Sequence, residues 1–93
     1  MIKNFRSQEA EKLFGREYSR TLPRNIQRTA LRKLLLLDAA VELKDIAVPP
    51  ANQLEKLRGD RNGQYSIRIN KQWRICFVWR EGNSYNVEII DYH

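Results

Sequence analysis

The second half of the chain holds residue types able to move a proton together with types able to hold a phosphate. The sequence closes on Asp91-Tyr92-His93, and His93 is its only histidine. An imidazole has an ordinary pKa of about 6.5, so it can take or give a proton near neutrality. Upstream stand Arg58, Arg68 and Arg74, with Lys56 and Lys71 among them. Guanidinium and ammonium groups grip phosphate oxygens through charge-assisted hydrogen bonds. Together these types suffice for cleavage of RNA, which carries its own nucleophile, the 2′-hydroxyl. An enzyme need only align that oxygen, remove its proton, neutralise the extra charge on phosphorus and protonate the leaving 5′-oxygen. Arginine, lysine, histidine, tyrosine and a carboxylate can do this without a metal or cofactor.

Other chemistries lack their signatures. The chain has no glycine-rich nucleotide loop, no nucleophile elbow and no cysteine–histidine zinc cluster. Its single cysteine, Cys76, excludes an internal disulfide and fits a reducing compartment. No metal and no cofactor are expected. A lone histidine at a chain end is usually a frayed tail. Residue types alone therefore lead to a basic domain able to bind nucleic acid, metal-free if catalytic, and no further.

The elements that must position these residues follow from length and pattern. Ninety-three residues make one domain, 1–93. Seventeen Lys and Arg against eleven Asp and Glu leave a formal net charge of +6, which favours a polyanionic partner. Residues 1–10 are polar and lack a signal-peptide core. The longest apolar stretch, around Leu34–Val41, is broken by Asp38 and too short to span a bilayer, so a soluble cytoplasmic protein is expected, with no membrane partner.

The chain divides at Pro49-Pro50. Before it the pattern is helical. Residues 1–5 read as a short strand or lead-in, Ser7 with Glu9 and Glu11 as a helix start, and Thr21 with Pro23 as a second. Ile26, Ala30, Leu34, Leu37 and Val41 share one helical face, and Arg24, Arg28 and Arg32 form a basic stripe roughly opposite. Leu31 and Leu35 flank the stripe, so the helix is either packed between the core and a loop or offers a docking surface for a partner. Residues 44–51 read as a connection. After it, Tyr65/Ile67/Ile69, Trp73/Ile75/Phe77/Trp79 and Tyr85/Val87/Ile89 alternate with polar residues, and turns fall at residues 59–63, 70–71 and 81–83. A three-stranded meander covered by two helices is an α+β architecture. Arg74 and Arg68 then point away from the core face.

Several of these segments together resemble a known family. They are Met1-Ile2-Lys3-Asn4-Phe5, Leu54-Glu55-Lys56-Leu57-Arg58-Gly59-Asp60-Arg61, the strand 63–70, Gln72-Trp73-Arg74-Ile75-Cys76-Phe77 and the closing Asp91-Tyr92-His93. The resemblance is to the HigB-type toxins, plasmid-maintenance killer proteins of the RelE/ParE superfamily. It implies a RelE-like fold, N-terminal helices on a small, mainly antiparallel sheet. It implies a bacterial cytosolic toxin that cleaves mRNA in the ribosomal A site. The implied partner is a HigA-like helix-turn-helix antitoxin, with operator DNA reached only through it. By the same resemblance His93, Tyr92, Asp91 and Arg74 would be catalytic, Arg58, Lys56, Lys71 and Arg68 would hold substrate, and the Arg24–Arg28–Arg32 stripe would meet ribosomal RNA. Two positions depart from the family pattern. Glu55 stands where many relatives carry a histidine, and Asn70 where some carry an arginine, with Lys71 beside it. Two alternatives differ in class: a ParE-type toxin that poisons DNA gyrase without cutting RNA, which gives the Tyr92-His93 tail no chemistry, and a weakly active toxin serving mainly as its antitoxin's co-repressor.

Overall fold

Alternation in the second half builds a meander, as the pattern requires. In the computed structural model, which describes residues 1–92, three strands follow one another: β2 (Gln64–Arg68), β3 (Trp73–Arg80) and β4 (Asn83–Asp91), all antiparallel. A two-residue strand, β1 (Glu55–Lys56), pairs with β2 and gives the sheet the order β1-β2-β3-β4. The sequence pattern did not point to β1, because both its residues are exposed and a dipeptide cannot alternate. Its register matters: Glu55 lies opposite Ser66 and Lys56 opposite Tyr65.

Strand parity sorts the side chains onto two faces. Ile67, Ile75 and Ile89 lie in one row across the sheet, buried with Phe77 and Val87 against the helices. Truncating Phe77, fully buried at the centre, to alanine is expected to cost about 3–5 kcal/mol. The opposite face carries the rows Glu55–Ser66–Cys76–Glu88 and Arg68–Arg74–Ile90.

The helices are α1 (Gln8–Phe14), α2 (Arg24–Ala39) and the short α3 (Leu43–Ala47), which corrects the reading of residues 44–51 as a connection. Ser7 caps α1 as anticipated, its hydroxyl accepting from the Ala10 amide. The start of α2 is corrected: Pro23, not Thr21, is its N-cap, and no side chain caps it. Ile26, Ala30, Leu34 and Leu37 form the buried face of α2, joined by Lys33. Val41 does not belong to that face. The helix ends at Ala39 and Val41 is 73% exposed. Val41 instead lies where its carbonyl oxygen would be 3.0 Å from a Cβ on Gly82, whose φ of +78° turns the β3–β4 hairpin. Residues 1–5 bridge β4 in parallel, Ile2 to Ser84 and Phe5 to Val87.

Candidate functional site

Arg74 is the fixed point of the sheet face turned away from the helices. It is only 6% exposed, between Arg68 and Ile90 in its row across the sheet. Its Nε donates to Ser66 Oγ at 2.8 Å, and its Nη2 donates to the Gln53 carbonyl at 2.5 Å and the Ser66 carbonyl at 3.3 Å. Among the described residues, these bonds leave Nη1 as the nitrogen that donates no hydrogen bond. It looks toward Glu55 Oε1 at 3.9 Å, an ion pair too long for a hydrogen bond. The Arg74 guanidinium carbon lies 5.5 Å from the centre of the Tyr92 ring. Tyr92 holds its place because its amide donates to the Gln72 carbonyl at 2.6 Å, extending β4 past its last residue.

Two turns roof this face. The segment 50–53 ends on Gln53, in the left-handed region at φ +43°, which aims its carbonyl at Arg74. The turn Gly59–Arg61 brings Arg61 to Glu88 at 3.1 Å, and Glu88 is also 3.8 Å from Arg6. The hydrogen bond that Arg61 donates to the Glu88 carboxylate raises the Arg61 pKa above its ordinary value. Beneath lies Cys76, whose thiol burial pushes up to about 11, so it is an inert core group and not a nucleophile.

The structure gathers Arg74, Arg68 and Tyr92 on one face. Asp91 takes a different place, opposite Trp73 across the ladder, and its carboxylate accepts from Gln72 Nε2 at 3.0 Å. Lys56 pairs with Tyr65, whose ring stacks on buried Phe77, so it is Glu55 and not Lys56 that shares the face of Arg74. Arg58 is exposed at the start of the Gly59–Arg61 turn, and Lys71 is exposed in the turn before β3. Asn70 has a structural task there: its Oδ1 accepts from the Gln72 and Trp73 amides. His93 lies outside the described residues. Arg24, Arg28 and Arg32 lie along α2, and Arg24 packs on the Tyr18 ring at 5.4 Å. A groove of about 310 Å³ beside them is lined by Leu13, Tyr18, Gln27, Arg28 and Leu31.

Sequence reasoning missed Gln53, which acts through a backbone carbonyl and so leaves no trace in residue type. It also passed over Ser66, which strand parity does place on the Arg74 face. Among the described residues no group of carboxylates, histidines and cysteines could hold a metal ion.

Helices on one face of a four-stranded antiparallel sheet form an architecture that small proteins of solved structure share. YafQ from E. coli strain BL21(DE3) shares the fold with a TM-score of 0.58 at 12% identity, over 98% of this chain and 91% of that one. The YoeB-YefM toxin-antitoxin complex from Staphylococcus aureus holds a chain with a TM-score of 0.59 at 22% identity, over 100% and 95%. Residues 3–93 match the HigB-like toxin family, described as the RelE-like toxin of type II toxin-antitoxin system HigB, and the chain belongs to that family. It is 43% identical over 67 residues to Toxin HigB-1 of Vibrio cholerae, covering 72% of this chain and 70% of that protein. It is 30% identical over its whole length to Endoribonuclease HigB of Proteus vulgaris, also covered in full.

Proposed function

We propose that the protein is an endoribonuclease that cuts mRNA on the ribosome, inhibits translation and is neutralised by a HigA-like antitoxin. The observation that carries this reading is the Arg74 guanidinium, fixed by Ser66 and Gln53 with Nη1 turned toward Glu55 beside the Tyr92 ring. A preorganised cation of this kind suits the charge that develops on a scissile phosphate. The 2′-oxygen attacks phosphorus, the bond to the 5′-oxygen breaks, and a 2′,3′-cyclic phosphate and a 5′-hydroxyl result. His93 is the proton carrier in this scheme. Tyr92 stacks on a base or orients the reacting groups, and Arg68, Arg58 and Lys71 hold the flanking phosphates. Asp91 steadies the end of the strand through Gln72.

Few acid–base groups serve this site, so alignment must come from elsewhere, and the ribosome supplies it. The Arg24–Arg28–Arg32 stripe suits ribosomal RNA. A net charge of +6 suits a more acidic antitoxin, through which operator DNA is reached. Purified protein should cut free RNA slowly or not at all and cut readily on translating ribosomes. Equal rates in the two settings would overturn ribosome dependence.

A further inference from the structure

Lys33 is a lysine placed in the core. It lies on the buried face of α2, is 8% exposed, and its ammonium donates to Asn52 Oδ1. Asn52 is itself 1% exposed, and its Nδ2 donates to the Ile46 carbonyl at 3.0 Å. Burial, and then the charges of Arg32 and Arg68, push the Lys33 pKa below the usual lysine range. An apolar pair of the same size would generally hold such a position at least as stably as a buried charge. What the polar pair adds is direction. Asn52 immediately precedes Gln53, whose left-handed backbone points its carbonyl at Arg74 Nη2, 2.5 Å away. A lysine in the helix layer is thereby connected, around the sheet edge, to the guanidinium on the opposite face.

We infer that Lys33 and Asn52 are positioning residues for Arg74: they hold the Gln53 carbonyl in place, and that carbonyl sets the guanidinium so that Nη1 alone faces the substrate phosphate. Neither residue touches substrate. Without them the 50–53 segment loses its anchor, Nη2 loses a partner, and the guanidinium rotates away from its working orientation. The inference rests on the reading of Arg74 as the phosphate-facing cation.

The test uses Lys33→Met/Asn52→Leu, which replaces the polar pair with apolar groups of similar size, and Lys33→Met alone, which keeps the Asn52–Ile46 bond. Ribosome-programmed cleavage should show kcat reduced about 10- to 100-fold, the range a small misplacement of a catalytic group produces, with KM within about twofold. Each variant leaves one buried acceptor without its donor, Asn52 Oδ1 in Lys33→Met and the Ile46 carbonyl in the double variant, so each should melt several degrees lower; the kcat loss should persist at temperatures well below those midpoints, where the variants are fully folded. Arg74→Ala, run alongside, separates the two readings. If Arg74→Ala retains full activity, the assignment of Arg74 fails. If Arg74→Ala is inactive while either folded Lys33 variant keeps wild-type kcat, the positioning inference is overturned. In the unaltered protein, nitrogen NMR should show distinct, slowly exchanging Arg74 side-chain resonances, and averaged ones would equally overturn it.

Discussion

Glu55 is the residue on which two mechanisms divide. It faces Arg74 Nη1 at 3.9 Å and its side chain is 49% exposed. At that distance two unit charges interact by about 1 kcal/mol in water and about 4 kcal/mol at an effective dielectric of ~20. Measured pairs with this much solvent access fall at about 0–1 kcal/mol, so the lower figure applies. Glu55 therefore competes weakly with a substrate phosphate for Nη1. Removing the charge with Glu55→Gln frees about 1 kcal/mol of that competition, which is about a fivefold fall in KM. The same change leaves kcat within about twofold, because a carboxylate occupied with an arginine is not abstracting a proton. Single-turnover cleavage on programmed ribosomes over a range of mRNA concentrations reads both constants. Glu55→His, which exchanges the competing carboxylate for an imidazole able to carry a proton, should cleave faster than the wild type. A loss of about 10²–10⁴-fold in kcat for folded Glu55→Gln would refute the argument and make Glu55 the general base.

Other expectations follow from the same geometry. Arg74→Lys should lower kcat by about 10²-fold or more, because an ammonium cannot reproduce the Nε and Nη2 bonds to Ser66 and Gln53; cleavage kinetics check it. Neutralising Arg24, Arg28 and Arg32 together should flatten the salt dependence of ribosome affinity by about one unit of slope for each phosphate no longer engaged. Binding titrations read that slope, and cleavage by the bound complex should be unchanged. The Cys76 thiol should resist alkylating reagents in the folded protein and react on unfolding. Its pKa is raised from 9.0 to about 11, so the unfolded chain loses the proton first. Its contribution to stability is therefore full below about pH 9 and is lost as pH rises toward about 11. Cys76→Val should flatten that fall in an alkaline unfolding series.

The sheet was legible because three strands alternate cleanly, and alternation fixes which face each side chain takes. Parity alone thus turned Arg74 and Arg68 away from Ile67 and Ile75. The elements that escaped are short. The five residues of α3 and the two of β1 offer no period to read, and both lie beside the Pro49-Pro50 stretch that looked like connection. Val41 fitted the spacing of α2 but lies beyond its end, since spacing does not say where a helix stops. Within the site, residue types pointed to arginine and tyrosine. They could not show that Arg74 spends most of its donors on a backbone carbonyl and a serine, nor that Asn70 caps a turn. Membership of the HigB family came through the motifs, because their order along the chain is more specific than composition.

The most direct test of the account is to map mRNA 5′ ends after brief induction of the wild type, Arg74→Ala and folded His93→Ala. New 5′-hydroxyl ends within translated reading frames, present for the wild type and strongly reduced in both variants, are the predicted result. Growth arrest with intact mRNA and a DNA-damage response would contradict the account and favour a gyrase poison, and unchanged cleavage by folded His93→Ala would remove the proton carrier on which the mechanism depends.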